Sequence, residues 1–237
     1  MTPKKYIIEH MEEDLHEWCK LEYDHIIKFL SPTHLYFTNL SHSIKSILVN
    51  TKLVPETNLF TNKIWDYNNI FLGDDKIADD DKNDNDRGRL SKDKICLLDP
   101  NSNQLLEPSD GELFEYFLFG GILGDDPPRD RTSELRILNF QTRNLGNLQM
   151  TTDTAIHVTK RIVEDKVHFS EIPFIDFPEI KLSNQEFVVM PFRYIAISDS
   201  STSTLQTTNN ELKQNIIPLL PDRMIELLKK EGDKAFD

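Results

Sequence analysis

Short, uninterrupted apolar runs alternate with helical segments along this chain, and that alternation limits the folds open to it. A run such as Tyr6-Ile7-Ile8 offers apolar groups to both sides of a strand. Only a strand covered on both faces buries such a run fully, and that is the environment of a parallel sheet. The same reading applies to His34–Thr38, Lys94–Leu98 and Phe114–Phe119. Between the runs the period changes. Leu15, Trp18, Cys19, Tyr23, Ile26, Ile27 and Leu30 recur at helical spacing over residues 14–30. Asp14 with Glu17 has the form of a capping pair, and Pro32 halts the helix. Ser41–Val49 is a second helical segment, and Glu134–Leu138 reads as a fifth strand or a helix–strand junction. Thr152–Val163 is a helix that buries Ala155, Ile156, Thr159, Ile162 and Val163. Further on, Pro173, Pro178 and Pro191 punctuate an extended region, and Ser198–Thr208 is loop-like. Pro221–Lys230 is a last helix with Met224, Ile225, Leu227 and Leu228 on its apolar face. The fold class is therefore α/β, a mostly parallel sheet with helices on both faces.

Charge narrows the partners. The chain has 40 acids against 27 bases, a net charge of −13. That balance disfavours a broad phosphate-binding surface and suits a basic protein partner. Cys19 and Cys96 both lie among apolar residues and are expected to be buried thiols. The histidines lack metal-ligand spacing, so surface or helix-face positions are expected for them and no metal site is expected. Residues 74–86 are dense in aspartate and read as a solvated insertion. No signal peptide and no apolar run of about 20 residues is present, so a cytoplasmic, non-membrane protein is expected.

In parallel sheets, ligands bind at the carboxyl ends of the strands. Three loops fall there: Leu98-Asp99-Pro100, Gly120 to Thr132, and Asn144 to Ala155. Four of the eight glycines lie in the last two. Glycine permits tight turns and equally permits close approach to a ligand. Gly120-Gly121-x-x-Gly124 is not a dinucleotide fingerprint. In the third loop, Thr151 or Thr152 can cap the following helix, with Asp153 complementing its dipole. Alternatively, Leu145–Met150 present backbone groups to an adenine while Leu145, Leu148 and Met150 pack on its faces. Spacing alone leaves both readings open.

Several longer stretches carry a resemblance. They are Tyr6-Ile7-Ile8-Glu9-His10-Met11-Glu12-Glu13, Cys96-Leu97-Leu98-Asp99-Pro100, Phe119–Asp125, Pro127–Thr132, Gln149–Ala155 and Met190-Pro191-Phe192-Arg193-Tyr194. Together they resemble the SPOUT superfamily of methyltransferases, and within it the fungal protein-arginine branch that modifies a ribosomal protein of the small subunit. The resemblance implies a deep C-terminal trefoil knot, a SPOUT domain over residues 1–165 with an acidic flexible insertion at about 73–90, and an extension over 166–237 packed on the same domain. It implies S-adenosylmethionine as cofactor, leaving as S-adenosylhomocysteine. The cofactor residues it implies are Leu98, Asp99, Pro100, Phe119, Gly120, Gly121, Leu123, Gly124, Leu145, Gly146, Leu148, Gln149, Met150, Thr151 and Thr154. A basic ribosomal protein is the implied substrate and a monomer the implied state; nucleic acid is not expected as substrate.

Arginine stays protonated at neutral pH, so its methylation calls for carboxylates that accept guanidinium N–H bonds and localise the charge. Glu9, at the end of the first strand, and Asp125, after Gly124, are the expected catalytic pair. Glu12, Asp126, Arg129 and Asp130 are expected to bind substrate, with a solvated helix start as the competing reading of Glu12. Asp153 reads as a first-turn acid, and His10 could reach the site. The rival functions are an RNA methyltransferase of the same superfamily and a non-catalytic cofactor-binding module.

Overall fold

A computed structural model describes residues 3–66, 92–121, 132–183, 185–198 and 216–234. Strands β1 (Lys5–His10), β2 (Leu35–Thr38), β3 (Ile95–Leu98), β4 (Tyr116–Gly121) and β5 (Gln141–Arg143) form a sheet in the order β2-β1-β4-β3-β5. Every pairing in it is parallel. The apolar runs are buried as a two-sided sheet requires. Tyr6, Ile8, Cys96, Leu98, Phe117 and Phe119 face one core, and Ile7, Ile95, Leu97 and Leu118 the other. The first core is roofed by α1 (Glu17–Phe29), α2 (His42–Thr51) and, further along the chain, the helix Thr152–Val163. Two shorter helices intervene, α3 (Asp110–Leu113) and α4 (Thr132–Arg136), so Thr152–Val163 is α5. Among the described residues, Leu135 of α4 and Ile64 of a short 3₁₀ turn cover the second core.

Two local expectations are corrected, and a third, left open between two readings, is decided. α1 starts at Glu17 with His16 in the cap position and no side-chain cap, so Asp14 and Glu17 form no capping pair. Of the two readings of Glu134–Leu138, the helix–strand junction holds: a helix ends at Arg136 and the fifth strand begins at Gln141. The buried face of α1 also reaches round to Leu21, covered by the C-terminal region, and to Glu22 and His25, which meet the start of the helix Thr152–Val163.

The C-terminal region is an antiparallel layer. It contains β6 (Phe174–Asp176), β7 (Glu179–Lys181), β8 (Phe187–Val189), β9 (Arg193–Ser198) and β10 (Ile216–Pro218). They form the sheets β10-β9-β6 and β7-β8. The final helix, α6 (Met224–Lys234), buries Met224, Leu227 and Leu228 against Leu21 of α1 and Tyr194 of β9, while Ile225 points outward. Cys19 and Cys96 are buried free thiols, as expected. The acidic stretch 74–86 and residues 199–208 lie outside the described residues. No helix among the described residues is long and apolar enough to cross a membrane.

Candidate active site

The carboxyl ends of β3 and β4 and the loop after β5 enclose a cavity of about 500 Å³. Each wall has a local cause. After β3 the chain turns on Asp99, whose Oδ1 accepts the N–H of Asn101 at 3.0 Å. The same carboxylate takes two bonds from Arg136 of α4, from Nε at 2.6 Å and Nη2 at 3.0 Å. Asp99 is thus a buried structural anion that sets the wall of which Leu98, Pro100 and Asn101 are also part. Asp99→Ala removes both Arg136 bonds to this carboxylate and the turn bond to Asn101, and urea unfolding is expected to show a loss of about 1–3 kcal/mol.

The loop after β5 is pinned from both sides. Asn144 Oδ1 accepts the N–H of Gly146 at 2.9 Å, and Asn144 Nδ2 donates to the Ser102 carbonyl at 2.8 Å. Gly146 has φ +82°, and a Cβ there would lie 2.9 Å from Phe169 Cζ. On the far side the Arg193 N–H donates to the Gln149 carbonyl at 2.9 Å. Arg193 itself is clamped on Asp176, at 2.6 and 2.9 Å, and lies over the Phe174 ring. The C-terminal layer thereby holds the loop and adds Phe177 and Pro191 to the cavity wall. Phe177 is half exposed at a left-handed backbone position, φ 50°, unusual for a bulky residue.

α5 begins at this wall. Thr151 occupies its cap position but forms no side-chain cap; its hydroxyl donates to Thr154 Oγ1 at 2.8 Å. Instead, the buried Glu22 carboxyl of α1 lies beside the Thr152 and Asp153 N–H groups; burial and the neighbouring Asp153 push its pKa well up, and Trp18 and those two N–H groups pull against that shift. The expected Thr151 or Thr152 cap is corrected accordingly.

Of the cofactor residues implied by resemblance, Leu98, Asp99, Pro100, Phe119, Gly120, Leu145, Gly146, Leu148, Gln149, Met150 and Thr151 line the cavity. Thr154 does not; it is buried behind Thr151. Gly121 ends β4 opposite His10. Leu123, Gly124, Asp125, Asp126, Arg129 and Asp130 lie outside the described residues. Asn101, Thr132, Asn147, Thr152, Ala155, Phe177 and Pro191 also line the cavity, though none was among the implied cofactor residues. Asn101, Asn147, Thr152 and Ala155 could have been found as loop neighbours or next-turn positions. Phe177 comes from a distant layer and carries no local signal; Pro191, from the same layer, was marked only as part of the stretch Met190–Tyr194.

Glu9 pairs in register with Gly120, a cavity residue, but is not itself in the wall. It is only 2% exposed. The Thr38 hydroxyl and the Ile64 N–H both donate to Oε2, the latter at 3.0 Å. Burial pushes the Glu9 carboxyl up to about 7, against the opposing pull of those two bonds and Lys63. Glu12 is partly buried and is not in the wall. His10 is buried, shares a 2.8 Å hydrogen bond with Tyr23, and does not reach the cavity. His25 is a helix-face histidine of α1, as expected, but a buried one, with its Nδ1 2.6 Å from Oδ2 of the fully buried Asp153. Asp153 is therefore more than a first-turn acid facing solvent.

The profile of a family described as "Protein arginine N-methyltransferase SFM1-like" matches residues 5–235. Protein arginine N-methyltransferase SFM1 of Saccharomyces cerevisiae is 38% identical over 236 residues, 98% of each chain. A crystal structure of the yeast arginine methyltransferase SFM1 complexed with SAH superposes with a TM-score of 0.72 at 36% identity, over 95% of this chain and 94% of that one. Another, complexed with SAM, gives 0.71 at 34% identity, over 98% and 93%. The match runs from β1 into α6 and takes in every element around the cavity, so the chain belongs to the SFM1-like family of protein arginine N-methyltransferases.

Proposed function

We propose that this chain transfers a methyl group from S-adenosylmethionine (SAM) to an arginine of a basic small-subunit ribosomal protein, acting as a monomer in the cytoplasm. The observation that carries the reading is the cavity: Leu98–Pro100, Phe119–Gly120 and Leu145–Thr151, all within segments implied as cofactor loops by family resemblance, meet around one space. Its volume of about 500 Å³ falls in the range of small-molecule sites, about 300–1,000 Å³. Leu98, Phe119, Leu145, Met150 and Phe177 supply apolar surface for an adenine, and Asn101, Asn147 and Gln149 supply polar groups. The donor set therefore fits an adenosyl group. When bound, SAM supplies an electrophilic methyl group on a sulfonium.

The protein's own part is alignment and exclusion of water. The loop 145–151, fixed by Asn144 and Arg193, orients the cofactor, and Phe177 and Pro191 close one side. Glu9 and Asp125 are proposed to bind the guanidinium, and Glu12, Asp126, Arg129 and Asp130 to hold the surrounding substrate. For Glu9 the support is chemical. Both of its hydrogen bonds fall on Oε2, so Oε1 is the oxygen available to accept a guanidinium N–H. A carboxyl near neutrality can also take the proton that the nitrogen loses as it gains the methyl group. The reading retains the trefoil knot with α5 as the threaded helix, and the division into a SPOUT domain at 1–165 and an extension at 166–237. The net charge of −13 supports a basic protein substrate. The monomer is supported by the C-terminal layer covering α1 through Leu21.

The test is transfer of labelled methyl from SAM to small ribosomal subunits that lack the modification. Label that survives nuclease, is removed by protease and hydrolyses to methylarginine is expected. Nuclease-sensitive label would replace this reading with an RNA methyltransferase. Binding of S-adenosylhomocysteine (SAH) without any transfer to protein or RNA would leave a binding module.

A further inference from the structure

We propose that Glu22 is a positioning residue for the cavity, closing the N-terminus of α5 from a neighbouring helix so that Thr151, Thr152 and Ala155 keep their places in the wall. The inference rests on the reading of that cavity as the cofactor site. An α-helix begins with N–H groups that lack intrahelical partners. Usually the residue at the cap position satisfies one of them with its own side chain. Here Thr151 has the extended cap conformation, yet its hydroxyl is spent on Thr154. The Glu22 carboxyl sits beside the N–H groups of Thr152 and Asp153 instead, near enough for both to favour its ionised form.

The carboxylate is itself held. Trp18, one turn earlier on α1, donates Nε1–H to Glu22 Oε1 at 2.6 Å. A second tie runs parallel to the first: His25, three residues after Glu22 and so on the same face of α1, bonds Asp153 in the first turn of α5. α1 thus grips the opening turn of α5 at two points. Glu22 is 2% exposed and is flanked by the buried Leu21 and Ile26, where packing alone would favour a leucine. Burying a carboxylate is unfavourable unless it has partners that need it. The partners it has are the backbone of the helix start that borders the cavity.

The experiment compares full-length Glu22→Gln, Glu22→Leu and Trp18→Phe with the wild type. Leu48→Ala, in the core under α2 and remote from the cavity wall, controls for general destabilisation. Amide hydrogen exchange at Thr152 and Asp153 and calorimetric titration with SAH are measured where all variants are folded. Glu22→Leu is expected to speed exchange at both amides and weaken SAH binding by about tenfold, with Trp18→Phe intermediate. Glu22→Gln keeps an acceptor and stays within about threefold of wild type. Leu48→Ala leaves both readouts at wild-type values. Should Glu22→Leu fail to fold, Trp18→Phe carries the same comparison. Wild-type exchange and SAH affinity in Glu22→Leu, or equal shifts in Leu48→Ala, overturn the proposal. A wild-type chain that does not bind SAH refutes the cofactor reading, while the exchange data still decide whether Glu22 closes the helix.

Discussion

Gly146→Val is expected to weaken SAH binding by about 100-fold while the chain stays folded. The backbone at Gly146 has φ +82°, in the left-handed region. A side chain there costs about 1–2 kcal/mol before any contact is counted. The added Cβ would lie 2.9 Å from Phe169 Cζ and 3.3 Å from Cε1. Phe169 cannot easily retreat, because it packs on the main core and against Phe174, 5.2 Å between ring centroids. Phe174 in turn lies under Arg193, which holds the Gln149 carbonyl. Relief of the clash therefore moves the cavity loop. A total near 3 kcal/mol corresponds to about two orders of magnitude in affinity. Calorimetric titration reads the loss, and thermal unfolding confirms that the sheet persists. Wild-type affinity in this variant would remove the loop 145–151 from the cofactor site.

Glu9→Gln is expected to lower kcat by about 100-fold or more while SAH affinity is unchanged, because glutamine keeps the shape and loses the base. It is also expected to change the pH dependence of stability. The native Glu9 carboxyl sits at about 7, above its ordinary value of 4.5. Between those values the folded chain binds the proton more readily than the unfolded chain. Stability contributed by this group therefore falls as pH rises through that window and is lowest above it. The full difference is about 3 kcal/mol. Glutamine mimics the protonated acid, so the variant should unfold at a higher temperature than wild type at pH 8 and at a similar one near pH 4. Equal activity in the two proteins would leave Glu9 a purely structural acid. A parallel pH dependence would mean that its carboxyl is not perturbed by burial.

The sheet was legible because its strands are continuous apolar runs, and such a run has few other ways to bury both sides. α5 was legible to the residue, since Thr152 to Val163 has strong amphipathic spacing, even though the cap expected at its start does not form. The fifth strand was missed because Gln141-Thr142-Arg143 is polar and lies at the sheet edge, where only backbone pairing with β3 defines it. The cavity loops were found through strand-end position and family resemblance together. What escaped was long-range: Phe177 and Pro191 enter the wall from a layer folded back over the loop. Glu22 reads locally as a polar residue on an amphipathic helix, and His25 as a helix-face histidine. Only the packing of α1 on α5 turns them into partners for a backbone and an aspartate far along the chain.

A crystal structure of this chain grown with SAH tests the central claim most directly. The account predicts the adenosine between Leu98, Phe119, Leu145 and Met150, with the loop 145–151 along its edge. SAH bound elsewhere, or no SAH at a saturating concentration, would contradict it.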